Sequence, residues 1–304
     1  MTTGVGGETK GGRATVVGLG EVLWDLLPEG REIGGAPANF AFHAKQLGAD
    51  AFIVSCVGED PLGQEIADRL TACGLDLTRL VIDSNHPTGT VSVDLDPRGK
   101  PTFTIHENVA WDFIPWTSDL EELAGRADAV CFGSLAQRST TSRETVHRFL
   151  RATRSRSLRV LDVNLRQDYF DEPTIEASLD LANVLKLNDE ELPVLSRLLD
   201  ITSAESGFTD PACLLEQFME RFSLDAVALT KGAEGCVLAT PTDRASHPGF
   251  RPPAIVDTVG AGDAFTAALV MGLLANAPLE GICENANRLA SHVCSRKGAM
   301  APHP

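Results

Sequence analysis

The residues best suited to chemistry lie toward the C-terminal end, in Asp257-Thr258-Val259-Gly260-Ala261-Gly262-Asp263. Small residues in succession let backbone N–H groups face one point. The strong helix former from Ala264 onward puts that point at a helix N-terminus, where the macrodipole favours negative charge. Such a loop is an anion hole fit for a phosphoryl group in transfer. Asp263, opening the same helix, would lie where an attacking hydroxyl meets the phosphate and could take its proton. Read from spacing alone, it serves equally well as a helix cap.

Other segments carry complementary groups. Gly34-Gly35-Ala36-Pro37-Ala38-Asn39 lets backbone approach a ligand, and Pro37 suits the first turn of a helix that ends before Gly48. Upstream, Gly20-Glu21-Val22-Leu23-Trp24-Asp25 ends on a carboxylate, whose roughly four acceptor sites suit a polyol. Alone, that Asp also reads as a solvated loop residue. Asp162-Val163-Asn164-Leu165-Arg166 offers a planar guanidinium for phosphate oxygens, or for a surface ion pair. Asn188-Asp189-Glu190-Glu191 is a sparse set of the kind that suffices for Mg²⁺, which keeps much of its water. Thr230-Lys231-Gly232-Ala233-Glu234-Gly235 reads as an ordinary hairpin turn.

The elements that must hold these groups alternate. Short apolar or β-branched runs at Ala14 to Val17, Ala51 to Val57, Ala129 to Phe132, Leu158 to Val163, Val184 to Leu187 and Ala226 to Leu229 are separated by stretches of helical periodicity. This predicts a mainly parallel sheet with helices on both faces. Ala254-Ile255-Val256 reads as one more strand end, feeding the glycine loop. Thr90 to Leu95 and Thr102 to Ile105 flank Asp96-Pro97-Arg98-Gly99-Lys100, which has strong turn chemistry, and predict a projecting hairpin. The extended stretch Glu21 to Ile33 could pair with it as a small sheet; two edge strands of the main sheet are the plainer alternative.

Composition bounds the function. The chain of 304 residues, 43% apolar, can fill one large α/β domain and a small appendage. Seven cysteines without C-x-x-C spacing suggest neither a zinc site nor a disulfide framework, and read as reduced thiols of a cytoplasmic protein. A formal charge of -16 argues against nucleic acid or anionic membrane as the partner, so an anionic substrate needs a local positive site. Met1 to Gly12 is polar and glycine-rich, neither signal peptide nor anchor, and is expected to be a flexible tail.

Asp257 through Phe265 resembles the C-terminal signature of the ribokinase-like (PfkB) carbohydrate kinases, and Gly34 to Asn39 resembles their N-terminal one. The resemblance runs from about Thr15 to Met300. It implies a ribokinase-like three-layer α/β fold with a central mainly parallel sheet and a small β-sheet lid, here about residues 21–35 and 88–110 of a kinase domain 13–304. It implies Asp263 as catalytic base, with Gly260, Ala261 and Gly262 as the anion hole. Gly34, Gly35, Asn39 and Asp25 would bind the sugar, Arg166 and Asn188 the ATP phosphates, and Thr230, Gly232 and Gly235 the rest of the nucleotide. Glu191 would order Mg²⁺ through water. Many relatives also hold a monovalent cation such as K⁺, through groups corresponding to Asp257, Val259, Val293, Arg296 and Gly298; Pro302 here stands where ribokinases often carry a hydroxyl ligand.

Gly20 to Asp25, Gly34 to Asn39 and Asn164 to Arg166 are most like bacterial fructokinases, which implies transfer from ATP to the 6-hydroxyl of fructose. Ribose, a 2-keto-3-deoxy sugar acid or a nucleoside are the alternative acceptors, and an inactive scaffold is the non-enzyme alternative. The lid departs from the commonest pattern at Ile105 to Asp112, where Glu107, Asn108 and Trp111 are expected to reshape the pocket; its acidity disfavours a carboxylate-bearing acceptor. A homodimer through the lid is a further expectation. Rival classes fail on spacing. The third glycine of a dinucleotide fingerprint after Gly18-Leu19-Gly20 falls at Leu23, and no P-loop, H-E-x-x-H or nucleophile-elbow pattern is present.

Overall fold

The computed structural model describes residues 12–28, 30–95, 101–201 and 210–303. The expected tail, apart from Gly12, and the hairpin turn at 96–100 lie outside them. In chain order the first half contains β1 (Thr15–Leu19), β2 (Leu23–Leu27), β3 (Gly30–Gly34), α1 (Ala36–Gln46), β4 (Asp50–Gly58), α2 (Pro61–Ala72), β5 (Leu80–Asp83), β6 (Thr90–Leu95), β7 (Pro101–Ile105), α3 (Ser118–Arg126), β8 (Ala129–Phe132) and α4 (Thr140–Ala152). The second half contains β9 (Leu158–Asp162), α5 (Glu172–Leu181), β10 (Val184–Asn188), α6 (Glu191–Leu198), α7 (Pro211–Phe222), β11 (Ala226–Thr230), β12 (Cys236–Ala239), β13 (Arg244–His247), α8 (Ala261–Leu274) and α9 (Leu279–Cys294).

Nine strands form one sheet in the order β13-β12-β11-β10-β9-β8-β1-β4-β5. It is parallel from β11 through β5, and β12 and β13 extend it antiparallel. Alternation along each strand divides the core in two. Val16, Cys131, Val160 and Val184 face the layer that contains α1, α2, α8 and α9, whereas Val17, Val130, Leu161 and Leu185 face α3 to α7. Helices on both faces of a largely parallel sheet make three layers, as the alternating sequence predicts.

A separate four-stranded sheet has the order β3-β2-β6-β7. Its two hairpin-like pairs, β2 with β3 and β6 with β7, are antiparallel, and β2 joins β6 in parallel. The expected hairpin and the Glu21 to Ile33 stretch therefore pair with each other rather than with the main sheet. Leu23, Val91, Ile105, Val109, Trp111, Leu135 and Ala136 form the small core beneath this sheet. Trp111 is fully buried there, with the Arg138 guanidinium 4.0 Å above its ring, and Arg138 is paired bidentately with buried Asp112. This corrects the expectation that Trp111 reshapes a pocket: its ring is covered by protein.

Candidate active site

Asp25 and the glycine pair come together through the register of the small sheet. Leu23 lies opposite Gly34 and Asp25 opposite Glu32, so a side chain on Gly34 would collide with the Asp25 carboxylate. Glycine is needed there to admit the acid. Gly35, the N-terminal neighbour of α1, has a left-handed φ of 108° and no side chain to cap the helix. The first turn of α1 carries Pro37, as predicted, and brings Asn39 inward. Asp25 lies on β2 of the small sheet, not on the first strand of the main one; the break at Gly20 to Val22 separates the two. Burial pushes its carboxyl up to about 6, against the Arg166 charge, with Asp257 raising it further.

The glycine loop does lead into a helix. Gly260 immediately precedes α8 in a left-handed conformation with φ 80°, and Asp263 stands in the first turn. Asp263 does not cap: its Oδ2 accepts a hydrogen bond of 2.7 Å from Asn39 Nδ2, across 224 residues of sequence. Desolvation raises the Asp263 carboxyl to about 6, and the Asp162 charge adds to this, while Asn39, Lys186 and Arg166 oppose it. The expected strand at Ala254 to Val256 is absent. Ile255 and Val256 are 69% and 59% exposed, and the Val256 and Asp257 amides bond to the Cys294 carbonyl instead of to a strand. β-branched residues suggested a strand, but among the described residues the segment pairs with the end of α9 and not with a sheet.

Sequence reading missed two residues beneath the loop. Lys186 Nζ would be 3.3 Å from a Cβ on Gly262, and it donates to Asp162 Oδ1 at 2.9 Å. Asp162 Oδ2 in turn accepts from Thr266 on α8 at 2.7 Å. Lys186 and Asp162 are both buried. Burial works against the lysine charge, but Asp162, Glu191 and Asp263 hold its pKa above the ordinary value. The signal was present: Lys186 follows Val184 by two, and Asp162 follows Val160 by two, so the strand period turns both charges toward α8. A charge at an inward strand position asks for a partner.

The remaining groups gather at the carboxyl ends of parallel strands, where ligands bind in open α/β sheets. Glu191 accepts from Asn188 N at 2.8 Å and Leu165 N at 3.0 Å, tying the loop after β9 to the one after β10. Burial raises its carboxyl, and Lys186 opposes the rise. Asn188 Oδ1 accepts from the Glu190 and Glu191 amides, and Asn188 pairs in register with Thr230. Arg166 is exposed, donates to the Leu165 carbonyl, and forms no carboxylate ion pair among the described residues. Gly232 has open space around it, whereas Gly235 is held by internal packing, since a side chain there would strike the His247 carbonyl. Glu107 is exposed and accepts from Tyr169 Oη at 2.9 Å.

Asp257 joins the glycine loop to the turn after α9: Oδ1 accepts from Val259 N at 3.0 Å and Oδ2 from Gly298 N at 3.1 Å. In the same turn Arg296 N donates to the Val293 carbonyl. The chain then passes behind Gly260, where an added Cβ would meet Ala299 Cα at 2.6 Å, and is fixed to α1 by the His43 and His303 rings, 3.0 Å apart between Nδ1 and Nε2. The result is a half-buried acid held by an amide, beside a helix N-terminus with an ammonium under it and a free guanidinium nearby. Such an arrangement can deprotonate a hydroxyl next to a bound polyanion. Among the described residues, no helix is long and apolar enough to cross a membrane.

A fructokinase of Salmonella typhimurium is 34% identical over 304 aligned positions, covering 94% of this chain and 95% of its own. A fructokinase of Vibrio cholerae O395, solved with fructose, ADP and a calcium ion, superposes with a TM-score of 0.78 at 27% identity, covering 95% of each chain. A sugar kinase of Pyrococcus horikoshii, solved with ATP, does so with a TM-score of 0.76 at 28% identity, over 94% of this chain and 93% of that one. The pfkB family carbohydrate kinase profile matches residues 30–304, and with the convergence of the two glycine signatures on Asp263 the chain belongs to that family of kinases.

Proposed function

We propose that the chain transfers the γ-phosphoryl group of ATP to the 6-hydroxyl of fructose, with Asp263 as the base. The observation that carries this reading is the Asn39–Asp263 hydrogen bond, which joins the sugar-side and phosphate-side motifs at one carboxylate. Fructose is preferred because the Salmonella relative is a fructokinase and the Vibrio fructokinase was solved with fructose. Asp25, Gly34, Gly35 and Asn39 form the acceptor pocket in this reading, and residues 21–35 and 88–110 the lid of a domain spanning 13–304.

Asp263 takes the proton from the acceptor hydroxyl as that oxygen approaches the phosphorus. The Gly260, Ala261 and Gly262 amides, with Lys186 beneath them, face the charge gathering on the phosphoryl oxygens. Arg166 orients the phosphates, Asn188 lies beside them, and Thr230, Gly232 and Gly235 bind the rest of the nucleotide. Closing the small sheet excludes water, which would compete as acceptor. The donor set fits Mg²⁺: each Glu191 oxygen accepts one amide and keeps a further acceptor site, so Glu191 would order the ion through water, and the ion would supply positive charge to offset that of the phosphates. The Asp257, Val259, Val293, Arg296 and Gly298 junction offers carboxylate and carbonyl oxygens suited to K⁺.

An ADP-release screen over fructose, ribose, keto-deoxy sugar acids and nucleosides tests the acceptor. Fructose should give the highest kcat/KM; a higher value with a nucleoside or sugar acid would reassign it, and silence with all would favour a scaffold. Asp263→Ala should lower kcat by at least about 100-fold while ATP still binds. Turnover near that of the parent would remove Asp263 as base.

A further inference from the structure

Glu21 lies in the break between β1 and β2, at the edge of the same cluster, and no role described so far uses it. It is 3% exposed, and its Oε2 is buried with no hydrogen-bond partner among the described residues. Its backbone packs on Gly35, so that a side chain on Gly35 would be 2.5 Å from the Glu21 carbonyl oxygen. The Ala36 amide, first of α1, acts on its carboxyl. Glu21 therefore reaches the N-terminal turn from which Asn39 projects.

Asn39 supplies the complementary gap. Its Nδ2 is committed to Asp263, which leaves Oδ1 pointing the other way, and Oδ1 is buried without a donor. A buried acceptor left unpaired is destabilising. In an ionised Glu21, Oε2 would be a second buried acceptor without a donor, within range of the Asp263 charge, even though backbone amides act on the carboxylate. A protonated Glu21 has a hydroxyl to donate, and an acceptor on the same turn lacks a donor. Burial is the largest influence on Glu21 and raises its carboxyl to about 7, with Asp263 adding to the rise; its own backbone amide, the Arg166 charge on the loop after β9 and the Ala36 amide oppose it. Cys131 on β8 also lies within range of its charge, and Lys186 is behind Gly262.

We propose that Glu21 is a positioning residue that acts as a neutral acid, donating to Asn39 Oδ1 and so fixing the Asn39 amide with its Nδ2 toward Asp263. This rests on Asp263 being the base. Loss of the Glu21 proton would free the Asn39 amide to turn and place a second negative charge at the centre, weakening both orientation of the base and binding of ATP.

The test compares Glu21→Gln and Glu21→Ala in the full chain, with Asp263→Ala as reference, by kcat, KM for ATP, and kcat/KM from pH 5.5 to 9. Glu21→Ala should lose about tenfold or more in kcat, the scale of one hydrogen bond to a charged site. Glu21→Gln keeps a donor and cannot ionise, so it should recover most of that loss. It should also lack the fall in kcat/KM that the parent shows as pH rises through about 7. Equal kcat in the parent and Glu21→Ala, or the same alkaline fall in Glu21→Gln and the parent, would overturn the proposal. If Asp263→Ala is as active as the parent, the base assignment fails instead. Should Glu21→Ala not fold, the pH profile of Glu21→Gln decides.

Discussion

Four carboxyl groups at this site sit above their ordinary range: Glu191, and Glu21, Asp25 and Asp263 at about 7, 6 and 6. Each is raised first by burial, so the folded chain holds protons that the unfolded chain has released. Stability from such groups is fully present below their unfolded values and is lost as pH rises through the folded ones. The ligand-free protein should thus lose stability between about pH 5 and 8. The share of Glu21 alone, from 4.5 to about 7, is about 3 kcal/mol. Urea midpoints at both pH values measure this, and Glu21→Gln should flatten the difference; a flat parent would show that these acids are solvated. The same residues mark the limit of legibility in sequence. Asp263, Asn39 and the glycines stand out because their two segments resemble the kinase signatures, spacing alone leaving Asp263 a possible cap, whereas Glu21 and Lys186 depend on what the fold buries against them. Lys186 could have been found from strand period; Glu21 lies in a break with no period to read.

At the scale of elements, the glycine loop is held less by its own geometry than by what lies behind it. Gly260→Ala would force a Cβ into a left-handed φ of 80° and toward Ala299 Cα at 2.6 Å. Left-handed strain of about 1–2 kcal/mol is only part of the effect, because the loop or the chain after α9 must shift. The substitution should lower kcat more than tenfold while the melting temperature falls only a few degrees, and a parent-like kcat would show that the loop tolerates displacement. The parallel strands and the small sheet were readable because their patterns are local and repeated. The misread strand at Ala254 to Val256 shows the converse: Ile255 and Val256 have strand-forming side chains, but pairing is decided by neighbours distant in sequence. Trp111 was misplaced for the same reason, since its covering partner, Arg138, is 27 residues away and belongs to the segment after β8.

Across the whole molecule, a chain of charge -16 binds a polyanion only where fixed positive groups outweigh that field. Arg166, Lys186 and the N-terminus of α8 gather at one end of the strands, facing the small sheet that bears Asp25. Asp25→Ala should raise KM for the sugar at least tenfold with little change in KM for ATP; an unchanged sugar KM would remove Asp25 from the pocket. The neighbouring residue on β2 has a further use. Trp24 is fully buried on the opposite side of the strand, with the Arg31 and Arg69 guanidinium groups 5.2 and 4.8 Å from its ring centroid, and its indole donates to the Leu62 carbonyl of α2 at 3.0 Å. The indole thus spans the joint between the small sheet and the main body. With Trp111 and Trp116 changed to Phe, its emission becomes a built-in optical gauge of that joint, and a stopped-flow trace on mixing with sugar would show whether the joint moves and how fast, without any attached dye.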